Sequence, residues 1–229
     1  MIRRIFLILF VLATSGQAGL AAGLTPVGKV DPGSPLASLG RVHNGTGSYC
    51  TGILVTSKLV LTAAHCLYNQ RTRRWLEPDS IHFLLAYHRG NYAFHSTVEA
   101  YSTGGTELQD EGPSLDKDWA LVRLHASPPA EYRPIEASST DPAGRLFRAV
   151  GYGSPKKYVL STSPDCTAQL SHGYLISRCP TAQGMSGGAL VDSSTGKLLG
   201  VQVGIARSDS DDPVMIAIPI GSLQPESWR

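Results

Sequence analysis

Three short segments of this chain carry the residue types that acyl transfer requires. In order they are Leu61-Thr62-Ala63-Ala64-His65-Cys66, Asp118-Trp119-Ala120-Leu121-Val122 and Gly184-Met185-Ser186-Gly187-Gly188-Ala189-Leu190. A serine hydroxyl is a poor nucleophile at neutral pH until a base takes its proton. Histidine suits that task because its ordinary pKa lies near working pH. A buried carboxylate holds the imidazole in one tautomer and stabilises the imidazolium, and backbone N–H groups must meet the oxyanion as it forms. Ser186 is therefore the candidate nucleophile, His65 the candidate base and Asp118 the candidate orienting carboxylate. Gly184 and Gly187 allow a sharp turn around Met185-Ser186, which makes the N–H groups of Gly184 and Ser186 the candidate oxyanion donors. Gly187 and Gly188 leave room for a substrate backbone to approach.

No one of these segments is specific by itself. A lone histidine is usually structural or solvated, a glycine-rich turn around a serine is common, and an aspartate before an apolar run can simply start a strand. Asp116 competes with Asp118, and Asp118 is preferred because the apolar run begins directly after it. The signal lies in the ordered set: His, then Asp, then Ser, with Cys66 beside the histidine and glycines around the serine.

The elements that must position these residues read as short strands. Gly40–His43, Cys50–Val55, Leu59–Thr62, Ile81–Tyr87, Tyr92–Ala100 and Trp119–Leu124 are apolar or β-branched stretches separated by turn residues. Asn44-Gly45 is a hairpin turn signal, and with Thr46 it also matches a glycosylation sequon. A second set follows at Leu146–Tyr152, Tyr158–Thr162, Cys166–Leu170, Gly188–Asp192, Lys197–Val203 and Val214–Ile220. Between the sets, residues 128–144 contain Pro128, Pro129, Pro134 and Pro142 and read as a linker. Residues 23–39 read as an extended lead-in, 40–127 as a first β unit and 145–229 as a second. No helix of a dozen residues is expected, and regularly spaced short strands argue for an all-β protein of barrel or sandwich type.

The N-terminus reads as a targeting segment. Arg3 and Arg4 precede the apolar run Ile5–Ala13, which is too short to anchor in a bilayer, and small residues follow up to Ala22. Residues 1–22 are therefore expected to be a secretory signal peptide and the protein to be secreted or periplasmic. Loss of its two arginines takes the net charge from +2 to zero. No polybasic run is present, so neither nucleic acid nor a membrane surface is an expected partner once the signal is cleaved. An even number of cysteines behind a signal peptide predicts disulfides. Of the three possible pairings, Cys50–Cys66 and Cys166–Cys179 each close a short loop, worth about 3 kcal/mol apiece on the chain-entropy argument. Zinc-type spacing of Cys and His is absent, so no metal is expected at these positions.

The three motifs together resemble the chymotrypsin-like (trypsin-fold) serine proteases over roughly Leu39 to Leu223. Thr62-Ala63-Ala64-His65-Cys66 resembles the family's histidine motif, and Cys50 falls where the partner of the histidine-loop disulfide lies. Asp118-Trp119-Ala120-Leu121-Val122 and Gly184-Met185-Ser186-Gly187-Gly188 resemble the aspartate and serine motifs. Gly151-Tyr152-Gly153 resembles a family strand end. The resemblance implies two six-stranded antiparallel β-barrels with the active site in the cleft between them. It departs from animal trypsins at Met185, where an aspartate would receive a new N-terminal amine, so no trypsin-style activation switch is expected. It is nearer to the bacterial glutamyl-endopeptidase-like (V8-like) branch.

The resemblance assigns the specificity pocket to Pro180, Thr181 and Gln202. Trypsins carry an aspartate where this chain has Pro180. Glutamate-specific relatives share Thr181 but carry a histidine where this chain has Gln202, which leaves acidic, neutral polar and small substrate side chains open. The expected function is serine endopeptidase action on peptide or protein substrates by a monomer, with no cofactor. An inactive protease-fold binding protein is the alternative, and an esterase is disfavoured by the Ser-last order. Trp75, Trp119 and Trp228 read as packing residues. Asp209, Asp211 and Asp212 read as a solvated turn, with a calcium site as the sharper alternative.

Overall fold

The computed structural model describes residues 23–45, 47–104, 112–207 and 213–223. The segment 1–22, Thr46 of the sequon, the acidic stretch 208–212 and Trp228 lie outside the described residues. The chain enters through a two-residue strand β1 (Thr25–Pro26) and a 3₁₀ turn at Pro35–Ser38. Then come β2 (Leu39–His43), β3 (Tyr49–Leu54), β4 (Leu59–Thr62), a small hairpin of β5 (Tyr68–Asn69) and β6 (Arg74–Trp75), β7 (His82–Leu85), β8 (Phe94–Thr103) and β9 (Ala120–Leu124). The second half holds β10 (Phe147–Gly151), β11 (Ser161–Thr162), β12 (Gln169–Ser171), β13 (Tyr174–Ser177), β14 (Ala189–Asp192), β15 (Leu198–Arg207) and β16 (Pro213–Pro219). The described helical elements are all 3₁₀ turns of three or four residues, and none is long and apolar enough to cross a membrane.

The first barrel closes on itself in the order β2-β3-β4-β9-β8-β7, all antiparallel. Closure explains the composition of its strands. Every residue of β4 is buried, and in β9 only Arg123 faces water. β8 runs further than the sequence suggested because a bulge between Val98 and Ala100 lets it bend around the barrel and continue pairing with β9. The β2–β3 connection is longer than a two-residue hairpin. The Asn44 side chain accepts the Ser48 N–H at 3.1 Å and closes it.

The second unit is an eight-stranded sheet, ordered β1-β11-β10-β14-β15-β16-β13-β12, that curls into the second barrel. β11 and the residues leading on to β12 follow β10, and β12 itself then pairs with β13. Ser163 N–H donates to Ala149 O at 2.9 Å, and Phe147 and Cys166 exchange backbone hydrogen bonds at 2.8 and 2.9 Å. Pro164 lies between these contacts, and a proline supplies no N–H to a ladder. With β11 and β12 taken as one strand, the barrel has six, and β1 is an added edge paired to β11. The lead-in is thus partly strapped to the second barrel. β13 went unread in the sequence: Tyr174-Leu175-Ile176-Ser177 is short, and its strand character comes from pairing with β16 and β12.

The proline-rich segment between the barrels is fastened to both. Ile135 N–H donates to Leu54 O at 3.0 Å, and Leu198 N–H donates to Glu136 O at 2.8 Å. One continuous apolar cluster runs from Val42, Ile53 and Leu61 of the first barrel to Val150, Ala189 and Val201 of the second. A second cluster around Phe147, Leu175, Met185 and Met215 fills the far barrel. Burial of each such large side chain stabilises by about 1.5–3 kcal/mol, so the shared cluster resists separation of the two halves.

Candidate active site

A cleft of about 1060 Å³ opens between the barrels. From the first barrel it is lined by the β2–β3 turn, His65, Cys66 and the Tyr68–Arg71 stretch. The second barrel supplies Ala182–Gly184, Ser186 and Val203–Ile205.

His65 leaves the end of β4 on the 3₁₀ turn Ala64–Leu67. That turn is pinned covalently by the Cys50–Cys66 disulfide, and by Asn44 Nδ2, which donates to Cys66 O at 3.1 Å. Asp118 caps the 3₁₀ turn Leu115–Lys117 just before β9, the neighbour of β4. The two therefore meet through adjacent strands. His65 N–H donates to Asp118 Oδ1 at 2.8 Å, and His65 Nδ1 lies 2.7 Å from Asp118 Oδ2. An ionised carboxylate only accepts, so Nδ1 carries the proton and Nε2 keeps a free lone pair. Asp118 is 7% exposed, whereas Asp116 stands in solvent. The Ser114 hydroxyl holds the Asp116 carboxyl below its ordinary range.

Ser186 sits on the tight loop before β14. Gly184 and Gly187 have φ of +95° and +77°, a region L side chains rarely adopt. A Cβ at Gly184 would strike the Tyr49 ring and the Tyr152 carbonyl, and one at Gly187 would strike Thr51 O and Thr62 Oγ1. The Gln183 carbonyl accepts the Ser154 N–H at 2.9 Å, and the Met185 carbonyl accepts the Gly188 N–H at 2.7 Å. In a trans peptide the N–H points opposite to the C=O of the same plane. The N–H groups of Gly184 and Ser186 are thereby turned away from these anchors, and among the described residues neither donates to a backbone carbonyl.

A residue that the sequence did not mark fastens this loop to the other barrel. Thr51 of β3 is fully buried. Its N–H donates to Ser186 O at 2.8 Å, and its hydroxyl donates to Gly184 O at 3.0 Å. The same hydroxyl accepts the Tyr152 N–H at 2.9 Å, and Thr62 Oγ1 donates to Thr51 O at 2.7 Å. Tyr49, on the same strand, packs against Gly184. The position after Cys50 is the only sequence cue to Thr51, and no spacing rule makes a threonine there a cross-barrel tie.

Thr181 and Gln202 come together, with Gln202 Nε2 donating to Thr181 Oγ1. Both are buried, directly before the wall residues Ala182 and Val203. Gln202 Oε1 has no partner among the described residues. Pro180, one residue earlier, lies beside Gly23 of the lead-in. A bulge between Gln202 and Gly204 turns β15 at the cleft wall. Met185 is fully buried among apolar side chains, so no carboxylate stands there to meet a cation. The second disulfide, Cys166–Cys179, ties the β11–β12 run to the segment after β13. Ligand atoms of Cys50, Cys66 and His65 lie within 4.8 Å of one another, but both sulfurs are committed to the disulfide and offer no thiolate.

Two antiparallel barrels flanking a cleft that holds a serine and a His–Asp pair define a protein of the chymotrypsin two-barrel fold. Residues 50–201 match the trypsin-like peptidase domain, and the chain belongs to that family. It is 29% identical over 144 residues to snake venom serine protease HS114 of Bothrops jararaca, a match covering 56% of this chain and 47% of that protein. The chain spans about half the length of the curated relatives it matches. Among solved structures, a Glu endopeptidase in complex with MPD superposes with a TM-score of 0.74 at 16% identity, covering 90% of this chain and 95% of that one. An inactivated protease paralogue of the scabies mite, S-I1, superposes with a TM-score of 0.66 at 18% identity, covering 87% and 96%. These two likenesses concern the fold alone.

Proposed function

We propose that this protein is an exported serine endopeptidase that hydrolyses peptide bonds through an acyl-enzyme. The carrying observation is the two-point hold of Asp118 on His65, at 2.8 and 2.7 Å, in the cleft that Ser186 also lines. Ser186 Oγ attacks the scissile carbonyl carbon while His65 Nε2 takes the hydroxyl proton. The carbonyl oxygen becomes an oxyanion held by the N–H groups of Gly184 and Ser186. The C–N bond breaks as His65 returns its proton to the leaving amine. Water then attacks the acyl-enzyme with His65 again as base, releasing the acid and restoring Ser186. Asp118 keeps Nδ1 protonated throughout. The base, the orienting group and the oxyanion donors all come from this chain.

Pro180, Thr181 and Gln202 are assigned to substrate selection, acting from behind the wall formed by Ala182 and Val203–Ile205. An uncharged amide at Gln202 favours a neutral polar or small side chain over a carboxylate, because no cation is present in that pair to offset the charge. Export is supported by the two disulfides and by the signal-type N-terminus.

The test is cleavage of a peptide library by the wild type and by Ser186→Ala. A fall in kcat of about 10⁶ is expected for the variant, as for loss of any essential triad nucleophile. Fluorophosphonate labelling of the wild type at Ser186 is the second arm. Unlabelled protein, or a variant with undiminished cleavage, would overturn the assignment in favour of a binding protein built on the same fold.

A further inference from the structure

The first barrel carries a second cluster of imidazoles on its outer face. His82 of β7 and His95 of β8 face each other with Nδ1 and Nε2 2.9 Å apart. Their rings lie within 15° of parallel, with centroids 5.1 Å apart. His43 of β2 is the direct register partner of His82 on the opposite side. Residues directly opposite in an antiparallel pair project to the same face with Cβ atoms about 4.5–5.5 Å apart. His95 sits two residues before Thr97, the register partner of His82, so alternation puts it on that face too. Three adjacent strands, β2, β7 and β8, therefore carry a histidine on one face, with His82 and His95 in contact and the ligand atoms of all three not within 4.8 Å of one another.

We infer that His82 and His95 form a binding site for a zinc-class divalent transition metal, separate from the catalytic cleft, with His43 on the same face as a third ligand only if its ring turns toward them.

The chemistry favours such an ion over the alternatives. Imidazole is a borderline donor that suits Zn, Cu and Ni, while Ca and Mg want oxygen. Two nitrogens bound to a tetrahedral zinc at 2.0–2.1 Å lie about 3.3 Å apart. The observed gap needs to open by only about 0.4 Å, within reach of exposed side chains that rotate freely at χ2. The proton balance is simple. In the metal-free pair one nitrogen donates to the other's lone pair. On metal binding that proton moves to the outer nitrogen of the same ring, by exchange with water, and both facing lone pairs go to the ion. Burial and the neighbouring His82 hold His95 below its ordinary pKa, and burial and the Arg41 charge do the same for His43. Both effects favour the neutral imidazole, the form a metal requires.

Arg41 limits the third ligand. It lies two residues before His43 on the same strand face, with its guanidinium over the rings of Tyr49 and Tyr87 at 4.4 and 4.7 Å. That cation repels a dication, so the His82–His95 pair carries most of the affinity and His43 contributes less. The site has a route to the cleft, because His43 precedes Asn44 and its ring is 6.5 Å from that of Tyr49, both of which line the cleft.

The test is calorimetric titration of the full chain with zinc chloride in a His65→Gln background, which removes the cleft imidazole as a competing ligand. This readout needs no activity, so its failure is distinguishable from failure of the peptidase assignment. One zinc per chain is expected. Loss of a mere supporting partner weakens metal sites roughly 10–100-fold, so His82→Gln and His95→Gln should each weaken binding by at least about tenfold, and His43→Gln by less. Copper should bind more tightly than zinc, and calcium should not compete. Zinc should also raise the melting temperature of the parent but not of the His82→Gln/His95→Gln double variant. All three positions are exposed or half-buried, so these variants should fold. A parent that binds no zinc at about 1 mM, a level set by the affinity scale of weak ligands, overturns the inference. So does a titration unchanged by both His82→Gln and His95→Gln.

Discussion

The two barrels deliver their parts of the site in different ways. The first barrel builds the His–Asp pair from within itself. β4 and β9 are adjacent, His65 leaves the end of one and Asp118 stands at the entrance of the other. The second barrel does not hold the Ser186 loop alone. Gly184 O and Ser186 O are both bonded to Thr51 of the first barrel, and the glycines of the loop fit against Tyr49, Thr51 and Thr62. The proposed base is thus ordered by one fold unit, and the loop of the proposed nucleophile by the seam between two. A change inside the first barrel should therefore act on the chemistry of the base. A change at the seam should act on loop position and on the docking of the barrels together.

The largest expected effect tests the first half of this contrast. Asp118→Asn keeps the shape but donates where the carboxylate accepted, which favours the wrong tautomer of His65. A fall in kcat of about 10⁴ is expected, in line with what loss of this carboxylate costs in serine hydrolases generally. KM should change little. A fall in stability large enough to account for the lost rate would show that Asp118 serves the barrel rather than the base.

Thr51→Val tests the seam. It removes the hydroxyl that serves Gly184 O and Tyr152 N–H and leaves both polar groups buried. Each unsatisfied group costs about 1–3 kcal/mol, so a loss of about 2–6 kcal/mol in urea unfolding is expected. kcat should fall with it, and Thr51→Ser should restore both. Loss of stability with unchanged kcat would mean that the tie holds the barrels but does not position the loop. That outcome would break the comparison.

Much of this was legible in the chain because closed barrels impose a local pattern. A strand buried on one face alternates, and a strand buried on both reads as a continuous apolar run. Leu59–Thr62 and the run after Asp118 could be read off on those grounds. β13 and the joining of β11 and β12 into one run could not. Their strand character comes from partners far along the chain, β16 and β10, and a four-residue stretch has no periodicity of its own. The bulges at Glu99 and Val203 were hidden for the same reason, since an extra residue shows only against a partner strand. At the site, His65, Asp118 and Ser186 stood out because their neighbours are unusual. Thr51 did not, because a buried hydroxyl that bridges the Gly184 carbonyl and the Tyr152 N–H leaves no mark on local sequence. Contact of Pro180 with Gly23, brought near by the β1–β11 pairing, was likewise not legible, because it joins the lead-in to a segment far along the chain.

A smaller effect is expected at the back of the second barrel, at a carboxylate that sharpens the contrast with Asp118. Asp192 ends β14, is almost fully buried, and accepts from Arg145 Nε at 2.5 Å. It also accepts from the N–H groups of Ser194 and Thr195 and from the Ser194 hydroxyl. Arg145 first, then Ser194 and Thr195, hold its carboxyl well below the ordinary value of 3.8, against the opposing effect of burial. A depressed folded pKa means that the native state binds the proton less readily than the unfolded chain. The resulting stability is present above the unfolded value and is lost as pH falls below it. Urea midpoints of the wild type and Asp192→Asn should therefore differ most near neutrality and converge below about pH 4, the ordinary carboxylate range. A difference that stayed constant between pH 7 and pH 3 would show that the ion pair contributes nothing through its charge.

The smallest expected effect concerns Arg41, a buried cation on the first-barrel side of the seam. It is 3% exposed, and no carboxylate among the described residues pairs with it. Its guanidinium rests on Tyr49 and Tyr87, with Tyr158 further off at 5.9 Å, and its Nε lacks a hydrogen-bond partner. Two opposing contributions act here. Ring contacts with a desolvated cation stabilise by about 2 kcal/mol, while burial of the charge costs several kcal/mol before compensation. Arg41→Met keeps the length and the ring contacts, removes the charge and its desolvation, and should lie within about 1 kcal/mol of the wild type, as isosteric apolar swaps of buried charges commonly do. Arg41→Lys keeps a charge but concentrates it on a strongly hydrated ammonium that cannot stack flat on two rings. The lysine variant should therefore be the less stable of the two, although it is the conservative change by charge. Urea unfolding of both variants checks the order. The reverse order would mean that the positive charge itself, rather than the flat packing of the guanidinium, supports Tyr49 where it meets Gly184. The seam would then depend on electrostatics as well as on the hydrogen bonds of Thr51.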